Sequence, residues 1–216
     1  EEMRFSREGL AGHLRLAVIP TALTWASRLA AGFSARHANV EFTILSRNSA
    51  DILSMLDNLE IDAGLSYLDN EPLGRVSTVE IYRERYSLVC APDHPLAGKP
   101  DIGWPDLAAS QLALLTPDMQ NRRIVNAAFR AAGCEPTARM ETNSTVVLVS
   151  HVLTGGWVTV LPGDLAHFHA AGKGLAIVPI HDGAAGHAVG LVAPWQEPHT
   201  PVLQALLDEA AELAVD

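Results

Sequence analysis

Three short polar segments carry the side chains best suited to chemistry in this chain of 216 residues. Each follows an apolar run and precedes a helical pattern: Pro20-Thr21, Ser46-Arg47-Asn48-Ser49 and Thr142-Asn143-Ser144-Thr145. Hydroxyl and amide groups beside the free N–H groups of a helix N-terminus favour the binding of an anion. The same residue types are common helix caps, so the pattern leaves both roles open. Arg47 could bind a carboxylate through a charge-assisted bond or lie solvated at the surface.

The sequence contains no spacing typical of a metal centre or of a familiar catalytic motif. His167 and His169 are two residues apart, and within a helix over residues 163–171 they would point about 200° apart. No histidine has the HExxH spacing, and Cys90 and Cys134 are not placed as a zinc pair. GxSxG, P-loop and GxGxxG segments are also absent. We therefore expect no catalytic residues, no metal and no cofactor.

Composition limits the partners. The formal net charge is -10. This charge argues against binding of nucleic acid by this chain alone, because phosphate binding needs lysine and arginine. No apolar run approaches the roughly 18 residues of a membrane span, and the chain does not start with a signal segment. We expect a cytoplasmic protein with a sizeable core and no membrane contact.

Alternating strand and helix patterns must position the polar segments. Residues 13–19, 40–45 and 61–65 are predicted strands, and helices are predicted from Thr21 to Ala35 and from Asn48 or Ser49 to Leu59. This order predicts right-handed crossovers and a parallel sheet. Further strands are predicted at 76–82, 86–91, 112–115, 137–141, 157–161, 175–180 and 187–193, and further helices at 101–109, 121–132, 146–153, 163–171 and 200–213.

The segment from Val146 to Leu153 is ambiguous. Its β-branched residues favour a strand. However, Asn143 or Ser144 can cap a helix there and Gly155-Gly156 can end it, so we predict a helix.

A set of ordered landmarks resembles the ligand-sensing domain of LysR-type transcriptional regulators. The apolar strand ending in YSLVCAPDHPLAG, residues 86–98, is the most informative. The others are Leu14-Arg15-Leu16, Asp62-Ala63-Gly64-Leu65, Trp104-Pro105-Asp106-Leu107, VLTGGWVTVLP at 152–162, and Leu191-Val192. Each landmark is weak alone, but together they cover residues 12–213 in the right order.

The resemblance implies an α/β fold like that of type 2 periplasmic binding proteins, with two Rossmann-like lobes joined by two crossover strands around a cleft. Lobe I would comprise residues 13–68 and 185–216, and lobe II residues 72–182. Residues 1–11 would be the end of a linker, because family members begin with a winged helix-turn-helix and a linker helix that this chain lacks. The chain also has Trp157 within the glycine-rich stretch, unlike the usual family pattern.

The resemblance also implies a small-molecule effector, a metabolite that is expected to be anionic. The three polar segments would face the cleft, Ser66 and Tyr67 would lie at the hinge, and Thr159 would lie on the cleft floor. A lobe II loop from Pro117 through Met119 to Gln120 would complete the site. The expected effector-binding residues are Thr21, Ser46, Arg47, Asn48, Ser49, Ser66, Tyr67, Pro117, Met119, Asn143, Ser144 and Thr159.

Partners follow from the same resemblance. The chain would form a dimer or tetramer, would reach promoter DNA only through an N-terminal helix-turn-helix, and could contact RNA polymerase. A dimer would pair the helix from Thr21 and the strand 40–45 of one chain with the helix 144–153 of another, and Phe33 and Val149 are the residues expected to face that interface.

The sequence is also compatible with two other functions. A periplasmic solute-binding protein has a similar fold, but its typical aromatic or arginine clamp is not visible. An enzyme on a related bilobal fold, such as a prephenate dehydratase, would need a threonine–arginine–phenylalanine signature that is absent.

Overall fold

The structure, a computed structural model, describes residues 9–214. Most of the predicted linker end, residues 1–11, therefore lies outside the described residues. The strands are β1 (Ala11–Val18), β2 (Asn39–Ser46), β3 (Ala63–Tyr67), β4 (Val76–Glu84), β5 (Tyr86–Cys90), β6 (Leu112–Leu115), β7 (Ala138–Thr142), β8 (Val158–Pro162), β9 (Ala176–Pro179) and β10 (His187–Pro194). The helices are α1 (Leu23–Arg36), α2 (Ser49–Asp57), α3 (Trp104–Leu107), α4 (Gln120–Ala131), α5 (Thr145–Leu153), α6 (Gly163–Ala170) and α7 (Pro201–Leu213).

The chain forms two compact units. Unit 1 comprises the residues up to Arg83 together with those from His187 onward, and unit 2 comprises residues 84–186. Each unit holds one five-stranded sheet, in the order β2-β1-β3-β10-β4 in unit 1 and β7-β6-β8-β5-β9 in unit 2. The chain thus enters unit 2 once and returns once.

Unit 1 is built on three parallel strands. β1 pairs with β2 and with β3, and the register places Val18 opposite both Ser46 and Leu65. The carboxyl ends of these strands therefore meet at one edge of the sheet. β10 runs antiparallel to β3. Helix α2 packs closely on β3, because a Cβ atom at Gly64 would overlap the Ile52 side chain.

The sheet of unit 2 also combines parallel and antiparallel strand pairs. β6 is parallel to β7 and to β8, while β5 runs antiparallel to β8 and β9. One face of the sheet carries an apolar cluster in which Leu148, Val149 and Leu165 from α5 and α6 pack with Val89 and Leu161. Burial of this cluster fixes α5 with its N-terminus near the carboxyl end of β7.

The predicted alternation of strands and helices is confirmed, including the ambiguous α5. Ser144 caps α5 by accepting from the Val147 N–H at 3.5 Å, and Gly155 follows the helix with φ of +89°. A left-handed φ suits glycine at this position.

Two predictions about boundaries are wrong. Thr21 is not a cap: it lies within a 3₁₀ turn, Pro20–Ala22, and α1 begins after it without a side-chain cap. The change of unit comes at residues 83 and 84 rather than at 72, because β4 hydrogen-bonds within the first sheet. The return to unit 1 comes at His187.

Close packing between β10 and β4 gives a stability test. A Cβ atom at Gly190 would overlap the backbone carbonyl of Val79, and backbone cannot move aside as a side chain can. We expect Gly190→Ala to lower the free energy of unfolding in urea by about 1–3 kcal/mol. Gly98→Ala is the matched control, since a Cβ there meets nothing within 4 Å. Equal effects of the two substitutions would contradict this packing.

Candidate functional site

The carboxyl ends of β1, β2 and β3 bring the predicted unit 1 residues to one edge of the sheet. We call this group the unit 1 site: Thr21, Ser46, Arg47, Asn48, Ser49, Ser66 and Tyr67. Thr21 is 2% exposed, and its hydroxyl lies 3.5 Å from the hydroxyl of the buried Tyr67. The first turn after β1 is thereby tied to the end of β3.

The segment after β2 is held mainly by its backbone. The Arg47 N–H donates to the Val18 carbonyl at 2.9 Å, and the Arg47 guanidinium donates to the Ser46 carbonyl at 2.7 Å. Asn48 caps α2, since its Oδ1 accepts from the Asp51 N–H at 2.8 Å. Asn48 is therefore a structural cap, whereas Arg47 remains exposed to solvent.

Ser66 differs from these capping residues. It is 1% exposed, and its hydroxyl has no hydrogen-bond partner within the described part of the chain. Strand alternation places Ser66 on the same sheet face as Gly64, which packs against α2. Burial of an unpaired hydroxyl is costly, so Ser66 is the strongest ligand-contact candidate in unit 1.

In unit 2, the ends of β6 and β7 form a second group, which we call the unit 2 site: Thr116, Pro117, Met119, Asn143 and Ser144. The Thr116 N–H donates to the Thr142 carbonyl at 3.0 Å, and the Ser144 N–H donates to the Thr142 hydroxyl at 3.2 Å. Ser144 also caps α5. The N-terminus of α5 thus lies beside the end of β6.

Two threonine hydroxyls in unit 2 are buried without a partner among residues 9–214. They belong to Thr116, at the end of β6, and to Thr159, in the middle of β8. Thr159 is 0% exposed and pairs in register with Val89 and Ala113, two members of the apolar cluster. Thr159 therefore shares the sheet face of that core, and Thr116 lies nearer the strand end.

Arg122 anchors the N-terminal turn of α4 beside this site. Its side chain is 9% exposed. The guanidinium donates to the Glu141 carboxylate at 2.6 Å and to the Leu115 carbonyl at 2.7 Å. It thereby links α4 to β6 and β7 and fixes the loop that contains Pro117 and Met119. Neither Arg122 nor Thr116 is among the residues predicted from the sequence, because a charged residue on a helix is ordinarily exposed and a threonine after a strand carries no signal of its own.

A histidine from α6 reaches the start of α5. His169 Nε2 lies 3.1 Å from the Thr145 hydroxyl. Burial, and then the charge of Lys173, lower the pKa of His169, so its neutral form is favoured at this helix N-terminus. His167 instead contacts the Gly163 carbonyl. No group of three metal-binding side chains occurs within residues 9–214.

The two cysteines differ in environment. Cys90 is 0% exposed, and burial, with a smaller contribution from Asp93, raises the pKa of its thiol to about 11. Cys134 is half-buried, and its thiol donates to the Phe129 carbonyl at 3.4 Å. Neither forms a disulfide.

Residues 7–214 match a family described as the LysR substrate binding domain. The chain belongs to that family. A related "Probable hydrogen peroxide-inducible genes activator" from Mycobacterium avium is 27% identical over 189 residues, covering 87% of this chain and 60% of the relative. The "RuBisCO operon transcriptional regulator" of Allochromatium vinosum is 30% identical over 135 residues, covering 62% of this chain and 44% of the relative. This LysR domain thus spans about three fifths or less of the length of these regulators.

Solved structures agree on the fold of the LysR domain. The regulatory domain of CcmR from Synechocystis, in complex with 2-PG, has a TM-score of 0.83 at 22% identity, covering 94% of this chain and 97% of that one. The effector binding domain of QuiR, in complex with shikimate, has a TM-score of 0.78 at 20% identity, covering 94% and 96%. The family and the fold class predicted from the landmarks are both confirmed.

No helix within residues 9–214 of this LysR domain is long and apolar enough to cross a membrane.

Capping and ligand contact can be separated by two substitutions in the unit 1 site. Asn48→Ala removes the α2 cap, and we expect it to lower the free energy of unfolding by about 1 kcal/mol. Ser66→Ala removes an unpaired buried hydroxyl, so we expect an unchanged or higher free energy of unfolding in the absence of ligand. Urea unfolding measures both. A loss for Ser66→Ala as large as that for Asn48→Ala would show that Ser66 has a structural partner.

Proposed function

We propose that this LysR domain is the sensor of a transcription factor and binds a small anionic metabolite, for which the unit 1 site and the unit 2 site each provide candidate contacts. The observation that carries the proposal is the pair of unpaired hydroxyls, Ser66 and Thr116, each at the carboxyl end of a strand and buried without a partner in the described chain. A ligand that accepts or donates hydrogen bonds there offsets their desolvation.

The chemistry of both sites favours a negative charge. The N-terminus of α1 has no side-chain cap, and neither does that of α4, where Met119 occupies the cap position. Backbone N–H groups at a helix N-terminus attract anions, and Arg47 adds an exposed cation. Shikimate in the QuiR complex carries a carboxylate, which supports the anionic class.

We propose that the domain acts through an oligomer, without catalysis, in the cytoplasm. Binding regulates only if the effector has different affinities for two states of the protein. In this proposal the effector shifts the oligomer between two such states, and promoter DNA is contacted by an N-terminal helix-turn-helix outside the present sequence. RNA polymerase is a further proposed partner.

Peroxide sensing through Cys90 has little support in this chain, although two relatives are named as peroxide-inducible activators. The thiolate is the reactive form of cysteine. Because the Cys90 thiol is fully buried and its pKa is raised to about 11, the thiol stays protonated at neutral pH.

A thermal-shift screen tests the effector proposal. The panel contains shikimate, other small carboxylates, aromatic acids, amino acids and inorganic anions. A ligand that binds only the folded state raises the apparent melting temperature in a saturable way. We expect a hit among the anions, and we expect its affinity to fall at least about tenfold in Ser66→Ala and in Thr116→Val, since each loses one hydrogen bond to a charged group.

Asp57→Asn is the control for this screen, because Asp57 is an exposed carboxylate at the far end of α2. It should leave the affinity unchanged. An anion that binds equally well to the wild type, Ser66→Ala and Thr116→Val would place the effector elsewhere, and a panel without any saturable hit would reject the anionic class.

Exposed apolar side chains support the proposed dimer. Val146, Val147 and Leu153 on α5 are 61%, 44% and 47% exposed, and Ile44 on β2 is 36% exposed. These elements are those expected to pair between chains. The particular residues predicted to face the interface are wrong: Phe33 and Val149 are 0% and 2% exposed and belong to the cores of their units. The exposed neighbours are the correct probes, since adjacent exposed apolar side chains on one helix form the kind of contiguous patch that marks a contact surface.

The oligomer prediction is tested with Val147→Asp and Leu153→Asp. Each places a charge on the exposed face of α5, so we expect both to shift the chain from dimer toward monomer in light scattering. Phe168→Asp is the matched control, because Phe168 is 64% exposed but lies on α6. Retention of the dimer by both α5 variants, with unchanged folding, would reject this interface.

A further inference from the structure

A contact between α6 and α5 lies outside the proposed function. His169, in the last turn of α6, places its Nε2 atom 3.1 Å from the hydroxyl of Thr145, the first residue of α5. Thr145 is 6% exposed, so its side chain has little access to water, and His169 is half-buried. The contact joins two helices that both pack on the apolar cluster of unit 2.

The surroundings of the His169 ring favour its uncharged form. The N-terminus of a helix carries a partial positive charge, and the ring lies at the first residue of α5. Lys173 follows His169 by four positions and adds a full positive charge. Burial, and to a smaller extent Lys173, lower the pKa of His169. A proton on this ring is therefore unfavourable in the folded chain.

Among the described elements that pack most closely on α6, no carboxylate compensates for a charge on the ring. These elements are α5, β5, β8 and β9, and none of the four contains an aspartate or a glutamate. Their titratable side chains are those of His151 on α5 and of Tyr86 and Cys90 on β5. None of these three side chains supplies the negative charge that a protonated imidazole requires at neutral or mildly acidic pH.

Helix α6 itself offers little compensation. Its one acidic residue, Asp164, lies five positions before His169, about 140° away around the helix. His167, the other histidine of α6, is exposed and contacts the Gly163 carbonyl. The C-terminus of α6 carries a partial negative charge, which favours a cation. However, the His169 ring extends from that end to α5, and its lowered pKa indicates that the balance disfavours the charge.

We propose that the contact between His169 and Thr145 is an acid-sensitive link that holds the start of α5. With a neutral ring, the link fastens the first turn of α5 to α6. A proton on His169 places an uncompensated positive charge at the positive end of α5 and weakens that turn. Val146 and Val147 belong to the same turn and are exposed apolar residues of the proposed dimer surface. Acid therefore weakens the dimer as well, a consequence that rests on the proposed function.

The direction of the pH dependence follows from the lowered pKa of His169. In the unfolded chain, His169 takes up its proton near pH 6.5, its ordinary pKa. In the folded chain it does so only at a lower pH. The unfolded chain binds more protons between these two values, so the free energy of unfolding falls as the pH falls below about 6.5. Above that pH, the contribution of the neutral ring is fully present.

NMR of the whole chain tests the charge state and the link together. We expect the ring-proton signal of His169, identified by its loss in His169→Gln, to titrate below about pH 6.5. The Leu148 amide donates to the Ser144 carbonyl at the start of α5, and its protection against hydrogen exchange should fall between about pH 7.5 and about pH 5.5. The Arg123 amide, which donates to the Met119 carbonyl at the start of α4, is the control. A His169 signal that titrates at or above about pH 6.5, or equal losses of protection at the two amides, would overturn the proposal.

His169→Gln separates the charge from the contact. The glutamine amide can take the place of Nε2 beside Thr145, but it stays neutral at every pH. Between about pH 7.5 and about pH 5.5, the ratio of folded to unfolded chain in urea should fall about two- to fivefold more in the wild type than in His169→Gln, the range for one charge at a helix end. His181→Gln is the matched control, because His181 is exposed, and it should behave like the wild type. Equal losses in the wild type and His169→Gln would overturn the proposal.

Light scattering at the same two pH values tests the consequence for the dimer. We expect the wild type to shift toward monomer in acid more than His169→Gln does. A dimer that is equally sensitive to acid in both would overturn the link between His169 and the oligomer. A chain that is monomeric even at about pH 7.5 would instead reject the dimer of the proposed function, while the NMR and urea measurements decide whether His169 holds α5.

Discussion

Parallel pairing of strands within each unit is the constraint on which the candidate sites depend. In unit 1, Val18 lies opposite Ser46 and Leu65. A shift of one residue in that register would turn the apolar side chains of a strand away from the core. Because burial fixes the register, it also fixes which polar residues follow the strand ends. The positions of Thr21, Ser66 and Asn48 are consequences of core packing as much as of any requirement for a ligand.

The same constraint explains what the sequence could predict. Strand and helix periodicity is local, so the element order was correct, and capping residues resolved even the β-branched segment that forms α5. Asn48 and Ser144 are caps, as their types suggested. Thr21 failed as a cap because Pro20 favours a tight turn at the end of β1, and that turn takes Thr21 into a 3₁₀ segment before α1 begins.

The features that the sequence did not predict depend on contacts between residues far apart in the chain. A charged residue on a helix, such as Arg122, is expected to be exposed. The Arg122 side chain is nevertheless only 9% exposed, because it bonds to Glu141, 19 positions away in the sequence. The membership of β4 in the first sheet depends on β10, more than a hundred residues later in the chain. Strand patterns alone do not identify such partners. Thr116 is unremarkable in sequence, and only its burial without a partner among the described residues distinguishes it.

The difference between the two cysteines has a practical consequence. The Cys90 thiol is buried in a strand and held in its protonated form, whereas Cys134 follows the end of α4 and is partly accessible. A maleimide dye requires an accessible thiolate, so in the native protein it attaches at Cys134. The unmodified sequence therefore carries one natural labelling position for fluorescence, just beyond the end of the helix whose N-terminus borders the unit 2 site, and no cysteine has to be removed first.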